Sequence, residues 1–313
     1  MSEGNSSFSK VSLNLQLAVD STSIGTLMDC PRKYQLSIIQ GYSLREESVH
    51  LTFGSLYHEA LETYDRAIAL GLTYDKATIR AVRKTLKRTW NKQLNRPWNS
   101  DHKEKNRYTL IRTIVWYLEQ FRRDTITTIK LADGSPAVEL SFRFETTYRS
   151  SWGEPFILCG HLDRLGELDG RPWIVDRKTT KYPIDQEYFA KYSPDNQMST
   201  YDFAGRIVYN LPVAGVIVDA AQILVTLSRF ERGFVPRTAA QQDEWYHNLG
   251  YWLRQMEQYA KENFWPMNLK HCNMYGGCPF RFVCGQTPEV RQKWLDVKYV
   301  KRIWDPLVVR GDI

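Results

Sequence analysis

GHLDRLGELDGRPWIVDRKTT, residues 160–180, consists of two arms rich in apolar residues that meet at Asp169-Gly170. That dipeptide suits the positive backbone angles of a tight hairpin turn, so residues 155–168 and 172–178 are predicted to be two antiparallel strands. Side chains two apart on a strand share a face, which sends Asp176 and Lys178 into one pocket, about 7 Å apart at their backbones. Asp163, on the preceding arm, lies across from them and adds a second carboxylate. Two acidic side chains in one site suit a hard divalent cation, magnesium or manganese, whose charge offsets their repulsion. A lysine beside such a cation can orient water or stabilise charge growing on a phosphate. An Asp-x-Lys pair alone is more often a surface ion pair, so the residues around it carry the weight.

Just upstream, Val138, Leu140, Phe142 and Phe144 alternate with Glu139, Ser141, Arg143 and Glu145, the period of a strand with one buried face. Glu139 reads either as a solvated-face glutamate or as an outer-sphere acid of the site. Downstream, a helix over 185–208 carries Gln197 and Tyr201 one turn apart, and the apolar run 213–227 makes the next strand. Helices are predicted on both sides of this sheet-forming stretch. One follows a cap at Ser21 or Thr22 and breaks after Cys30 at Pro31; others cover 52–70, 75–94 and 106–125; a last long helix covers 238–264. In the 52–70 helix, Phe53, Leu56, Tyr57, Ala60, Leu61 and Tyr64 form one apolar stripe. The expected fold is α/β, a mixed sheet core flanked by helices.

Composition agrees with one catalytic domain with additions: 313 residues, 42% hydrophobic and 25% charged, can bury one large core. The N-terminal MSEGNSSFSK lacks the apolar stretch of a signal peptide, and the longest apolar run, 211–227, is interrupted by Asp219 and Gln222. The expectation is a soluble cytoplasmic protein with no membrane partner. The net charge of +7 is unevenly spread, since residues 80–107 hold ten Lys or Arg against only Asp101 and Glu104. Lys87 and Arg88 could displace counterions from phosphates there, and Trp90 and Trp98 could offer faces to unstacked bases. A solvated helix face followed by a loop explains the charge equally well.

Five cysteines are an odd number, and a cytosolic chain of this size does not need disulfides. Cys159, in the apolar run FILCG, reads as a small buried hydrophobe. The other four, Cys30 near one end and Cys272, Cys278 and Cys284 near the other, have the spacing of a metal clasp. Four thiolates satisfy either a zinc ion or a cubane cluster, so ligand type alone does not separate them.

Gly-His-Leu-Asp at 160–163, Asp-Arg-Lys at 176–178 and Gln197 with Tyr201 occur in an order that resembles the RecB-like branch of the PD-(D/E)XK nuclease superfamily. The likeness extends upstream to GSLYH, Gly54 to His58, where such nucleases place a helix histidine that completes the metal sphere. It implies a restriction-endonuclease-like core in which His58, Asp163, Asp176 and the main-chain carbonyl of Arg177 hold the cation, with Lys178 beside the attacked phosphate. Gln197 and Tyr201 would shape the site and contact nucleic acid, although core packing accounts for Tyr201 as simply. Several RecB-like nucleases, among them the AddB type and the CRISPR adaptation nucleases, carry one cysteine before the catalytic core and three after it, binding [4Fe-4S]. The resemblance thus implies an iron-sulfur cluster on Cys30, Cys272, Cys278 and Cys284. The five-residue spacer in CNMYGGC departs from the closer first gap common in those proteins. The likeness covers roughly residues 22–65 and 137–285.

The implied organisation is a single nuclease domain, 1–313. Its parts are N-terminal helices at 20–70 with the first cluster cysteine and the metal histidine, a basic helical insertion at 71–130, a catalytic core at 137–235, a helix and C-terminal iron-sulfur segment at 238–290, and a tail at 291–313. The implied activity is metal-dependent hydrolysis of DNA phosphodiester bonds by an exonuclease acting on free ends or single strands, alone or with a helicase or recombination partner. Two other classes stay open: a non-catalytic DNA-binding subunit on the same scaffold, and a zinc-bound regulatory module. Asp163, Asp176 and Lys178 are all present, which weighs against the first of these, because inactive copies lose the catalytic acids.

Overall fold

The computed structural model describes residues 7–46, 48–99 and 101–308, with the backbone alone at Tyr275. Most of the N-terminal MSEGNSSFSK and the last five residues of the 291–313 tail lie outside the described residues, as does Ser100 in the basic stretch. The chain forms two compact units, Glu47–Leu140 with His161–Thr238, and Met1–Glu46 with Ser141–Gly160 and Ala239–Ile313. The strands Val138–Arg149 and Pro155–Leu168 run from one into the other. The architecture is α/β, with a mixed sheet flanked by helices.

The unit containing residues 161–180 is built on the predicted hairpin. Pro155–Leu168 pairs antiparallel with Arg171–Thr180, Arg164 opposite Val175 and Gly166 opposite Trp173. Asp169 and Gly170, at φ 50° and 71°, make the turn, and both angles are positive, as a two-residue hairpin turn requires. Arg171–Thr180 then pairs parallel with Gly215–Ile223, Asp176 opposite Val218 and Lys178 opposite Ala220. Every residue of Gly215–Ile223 is buried, the unbroken apolar pattern of a strand covered on both faces. It includes Asp219, which accounts for the charged residue interrupting the run.

A parallel pair needs a crossover, and residues 181–214 supply it. The single helix expected over 185–208 is two, Gln186–Ala190 and Asn196–Ile207. Pro194 falls between them and cannot donate an amide hydrogen to a continuing helix. Asp195 restarts the chain as a cap, its carboxylate accepting from the Met198 amide at 2.9 Å. In the strand Ser228–Pro236, antiparallel to Gly215–Ile223, Arg229 and Glu231 supply the exposed face, while Arg232, in step with Phe230, interrupts the alternation that would mark the strand in sequence.

Three helices of this unit end or begin close to expectation, with shorter spans in the basic region. Val49–Ala69 matches 52–70, but Tyr74–Arg88 and Arg107–Gln120 stop short of 94 and 125. Trp90–Asn91 leaves the helix to pair with Arg96–Pro97. Phe53, Tyr57, Ala60 and Leu61 pack with Leu110, Ile114, Tyr117 and Leu118 and with Ala221, Ile223 and Phe230 of the sheet. Trp98 joins this core, its ring 6.5 Å from that of Phe53, so it is a packing residue and not the exposed base-stacking face the sequence suggested.

Gly215 sits at φ 145°, where an added Cβ would lie 2.5 Å from the Val235 carbonyl oxygen and 2.7 Å from Pro236 Cα. Both obstacles are backbone on the neighbouring strand and cannot rotate away. Gly215→Ala is expected to destabilise the fold by about 2–3 kcal/mol, read as a lowered urea midpoint.

In the second unit, Ala18–Val19 pairs parallel with Ile157 and Leu158. Asp20, rather than Ser21 or Thr22, caps the first helix: its carboxylate accepts from the Ser23 amide at 2.8 Å and Ser23 Oγ accepts from the Asp20 amide at 2.9 Å. The helix Ser21–Asp29 breaks at Cys30, which is extended, and a new turn opens at Pro31, as predicted. The long helix spans residues 239–262. A further helix, Pro288–Lys298, covers part of the expected tail. Leu36, Tyr42, Phe280, Val283, Leu295 and Tyr299 form the core behind the last two cysteines. No helix among the described residues is long and apolar enough to cross a membrane.

Candidate active site

His58 lies near the middle of the helix Val49–Ala69, one turn after Gly54. A Cβ at Gly54 would be 3.6 Å from Thr179 Oγ1, so the helix backbone runs close to the strand that carries Asp176 and Lys178. His58 Nδ1 is 3.3 Å from Asp163 Oδ1. The other oxygen of Asp163 accepts from the Arg177 main-chain amide at 2.8 Å. One carboxylate thus links the helix, its own strand and the next strand.

Glu139 joins this group. One ligand atom from each of His58, Glu139 and Asp163 lies within 4.8 Å of the other two. The residue that brings it there is itself, since Glu139 has φ 51°, a left-handed conformation that interrupts the strand's alternation and turns its side chain from where a regular strand would place it. A solvated-face glutamate therefore does not describe Glu139. Regular burial alternation resumes from Phe142.

Asp176 and Lys178 project together, as the strand period required. Lys178 Nζ is 2.7 Å from Asp176 Oδ2 and donates to Gln197 Oε1 at 2.7 Å. Gln197 Nε2 in turn donates to the Tyr201 hydroxyl at 2.8 Å. Gln197 and Tyr201 thus hold the lysine from the crossover helix, and Tyr201 also fills the core, being 8% exposed. Asp176 is outside the close group of His58, Glu139 and Asp163 and faces the lysine instead.

The two acids are pushed in opposite directions. Burial raises the Asp163 carboxyl, but the charge and contact of His58, the Arg177 amide and Lys178 outweigh it and hold it far below the usual carboxylate range. Burial dominates at Asp176, and with the charge of Asp163 it overcomes the opposing pull of Lys178 to raise the carboxyl to about 6. Burial also opposes the charged form of His58, yet the adjacent Asp163 carboxylate leaves its pKa raised. A cluster that concentrates negative charge in a buried site and strains one carboxylate toward protonation is suited to a divalent cation. The donor set, carboxylate oxygens and an imidazole nitrogen, fits magnesium or manganese.

Behind these residues runs a buried ionic network that the sequence reading missed. Asp65, two helical turns beyond His58, ion-pairs with the Arg177 guanidinium and lies 3.6 Å from Arg164 Nη1. Arg164 follows Asp163 and Arg177 follows Asp176, so each acid is adjacent in sequence to an arginine anchored on Asp65. Arg164 continues to Asp124 at 3.9 Å; Asp124 pairs with Arg232 at 2.7 Å; Arg232 pairs with Asp219 at 3.4 Å, and Tyr117 donates to that same aspartate. The available signal was the repeated acid-arginine pair, together with an aspartate seven residues after the histidine on a buried stripe.

The basic region is divided in its roles. Lys84 and Arg88 each pair at 3.2 Å with Glu59, the carboxylate next to His58 in sequence, and the Arg88 side chain stays 64% exposed. Lys87 shares an open groove with Lys76, Arg80 and Arg83. Trp90 is 39% exposed, with the Arg107 guanidinium 5.3 Å from its ring centroid.

The four cysteines of the predicted clasp all belong to the other unit. Cys278 donates its amide to the Cys272 carbonyl at 3.0 Å, and the Cys284 amide bonds to Phe280 at 2.9 Å. Cys30 Sγ accepts from the Asn268 amide at 3.3 Å, while Asn268 Nδ2 donates to the Asp29 carbonyl at 2.8 Å. Burial first, then the charges of neighbouring thiols, raise the pKa values of Cys278 and Cys284; for each, Cys30 is among those neighbours. Among the described residues, however, no three cysteine sulfurs all come within 4.8 Å of one another. Cys159 is buried, donates to the Val19 carbonyl at 3.4 Å and has a thiol pKa raised chiefly by burial, as a packed thiol should.

Among solved structures, the chain is similar to one described as "Putative exonuclease" from Eubacterium rectale, with 12% identity, TM-score 0.51 and coverage of 95% of this chain and 94% of that one. At that identity the likeness shows the fold. SSO0001 matches at 10% identity and TM-score 0.29 over 74% of this chain and 75% of that one, and protein VC1899 from Vibrio cholerae at 11% and 0.22 over 72% and 60%; neither carries weight here. No curated protein matches. Residues 21–285 match the sequence profile of the PD-(D/E)XK nuclease superfamily, a span that takes in the hairpin, the crossover helix, His58 and all the cysteines. With the mixed sheet and the grouped acids in place, the chain belongs to the PD-(D/E)XK nuclease superfamily.

Proposed function

We propose that this protein is a RecB-like, magnesium- or manganese-dependent deoxyribonuclease that acts as an exonuclease on DNA ends or single strands. The observation that carries the reading is the convergence of His58, Glu139 and Asp163, with the Asp176–Lys178 pair on the adjacent strand. His58, Glu139, Asp163, Asp176 and the Arg177 carbonyl would hold the cation. When bound, that cation supplies charge neutralisation at the phosphate and a more acidic water. Lys178, held by Asp176 and Gln197, keeps its proton and stabilises negative charge on the attacked phosphate. Asp163 fixes His58 and the Arg177 backbone relative to one another. Gln197, backed by the buried Tyr201, positions Lys178 and contacts nucleic acid at the rim, and Lys87 and Trp90 receive the strand beyond it. Arg88, paired with Glu59 at the surface, would lie along the same path. Incubation of end-labelled linear DNA and circular DNA with and without manganese tests this: metal-dependent loss of the labelled end with circles left intact is the expected result, and no cleavage of either overturns it.

In the same reading, Cys30, Cys272, Cys278 and Cys284 hold a [4Fe-4S] cluster. Four thiolates suit either tetrahedral zinc or a cubane cluster, and the order of one cysteine before the core and three after it is what favours the cluster. Tying Cys30 to Cys272 closes 242 residues of chain, a constraint worth on the order of several kcal/mol by loop-closure entropy. Protein purified without oxygen should be brown with broad visible absorbance, and Cys30→Ser should lose both colour and thermal stability. A colourless protein holding one equivalent of zinc would favour the zinc-module alternative.

A further inference from the structure

At the N-terminal end of the helix that bears His58, four cationic or imidazole side chains gather without a role in the site described above. His50 lies two turns before His58, about 12 Å along the axis. Its ring is 6.3 Å from that of His102. Lys105 is 3% exposed, and its Nζ lies 4.2 Å over the Phe53 ring, in the first turns of the same helix. Among the described residues no carboxylate pairs with this ammonium and no hydrogen-bond acceptor meets it. Lys181 lies at the end of the active-site strand, three residues and about 10 Å beyond Lys178, where the approach of Gly54 to Thr179 brings helix and strand together.

The loop that presents Lys105 is fixed. Asn99 Nδ2 donates to the Lys105 carbonyl at 2.5 Å and Asn106 Nδ2 to the His102 carbonyl at 2.6 Å. Asn106 also caps the helix Arg107–Gln120 through a reciprocal bond with Thr109. His102 Nδ1 accepts from the amides of Glu104 and Lys105, at 3.2 and 2.9 Å, so in the neutral ring the proton sits on Nε2 as an available donor. The helix Val49–Ala69 has no side-chain cap at Ser48, leaving its first amides without that partner. Burial lowers the Lys105 pKa to about 8. At His50 burial and then the charges of Lys105, His102 and Lys181 depress the imidazole, with Glu104 the opposing carboxylate. The charge of Glu104 opposes the shift at Lys105 without pairing with its ammonium, so an arriving anion would satisfy a charge largely removed from water.

We propose that His50, His102, Lys105 and Lys181, with the opening amides of the helix Val49–Ala69, form a phosphate-binding subsite that grips a phosphate of the bound strand other than the one under attack. A helix N-terminus with converging cations suits such a group. The identity of the ligand as nucleic acid rests on the nuclease reading; the anion site itself does not.

Inorganic phosphate is the first probe. Its addition should shift the imidazole proton signals of His50 and His102, and Lys105→Met should remove the shift. Anisotropy of an internally labelled single-stranded DNA, measured in chelator, then reads the strand. Lys105→Met should raise Kd about tenfold and flatten the slope of log affinity against log salt by about 0.7, the change for one phosphate contact. If Lys105→Met fails to fold, the exposed pair His50→Gln with Lys181→Gln should weaken binding in the same direction. Oligonucleotides with phosphorylated or hydroxyl ends separate the sources: a preference for a phosphorylated end that the variant loses assigns a terminal phosphomonoester, and equal loss on all ends assigns a backbone diester. Folded variants with unchanged Kd and salt slope, or phosphate that moves neither imidazole signal, would overturn the subsite. Failure of the nuclease reading would appear separately, as absent manganese-dependent cleavage by the unaltered protein.

Discussion

Asp176→Ala is expected to reduce metal-dependent cleavage on the order of a thousandfold or more while DNA binding persists. Asp176 is the acid whose carboxyl is pushed upward by burial and by Asp163, so its ionised form depends on a neighbouring positive charge. Truncation removes a proposed cation ligand and the ion pair that holds Lys178 at 2.7 Å. Gln197 still accepts from that lysine, which limits the collapse of the pocket. Affinity for DNA should survive, because phosphate contacts by cations spread over the surface supply most of it. Cleavage of end-labelled DNA and anisotropy on the same preparation measure the two effects together. Retained metal-dependent cleavage by the folded variant would count decisively against the assignment.

Asp65→Ala should destabilise the fold by about 3–5 kcal/mol, the range for removing one partner of a buried ion pair. Asp65 is 5% exposed and serves two guanidinium groups, Arg177 and Arg164. Without it, Arg177, itself 2% exposed, keeps a buried charge whose direct carboxylate partner is gone. The helix Val49–Ala69 would lose the bond that fixes it two turns from His58, so divalent-metal affinity should fall along with stability. Urea unfolding gives the first effect, and manganese titration of the folded fraction gives the second. An unchanged urea midpoint would show that the network does not anchor the helix.

The hairpin and its chemistry were legible because strand geometry is local. Asp169-Gly170 fixed the turn, and a period of two placed Asp176 and Lys178 together. Local too was the break at Cys30-Pro31, since proline opens a helix and cannot continue one. Errors arose where a neighbouring element controls the outcome. The single helix expected over 185–208 overlooked Pro194, and Trp98 looked available until it packed against the core.

Residue order, together with the periods of helix and strand, was enough to establish an α/β class, to bring Asp163, Asp176 and Lys178 to one site, and to set the four cysteines apart from Cys159, while His58 was nominated by the family resemblance. Those features depend on covalent spacing and on backbone angles that each residue type prefers. The turn of Glu139 toward His58 and Asp163, the anchoring of two active-site arginines on Asp65, and the meeting of His50, His102, Lys105 and Lys181 came only with the folded chain. Each joins residues far apart in sequence, and burial rather than local preference fixes their partners: a charge removed from water must find a counter-charge or a ligand wherever packing brings one within reach.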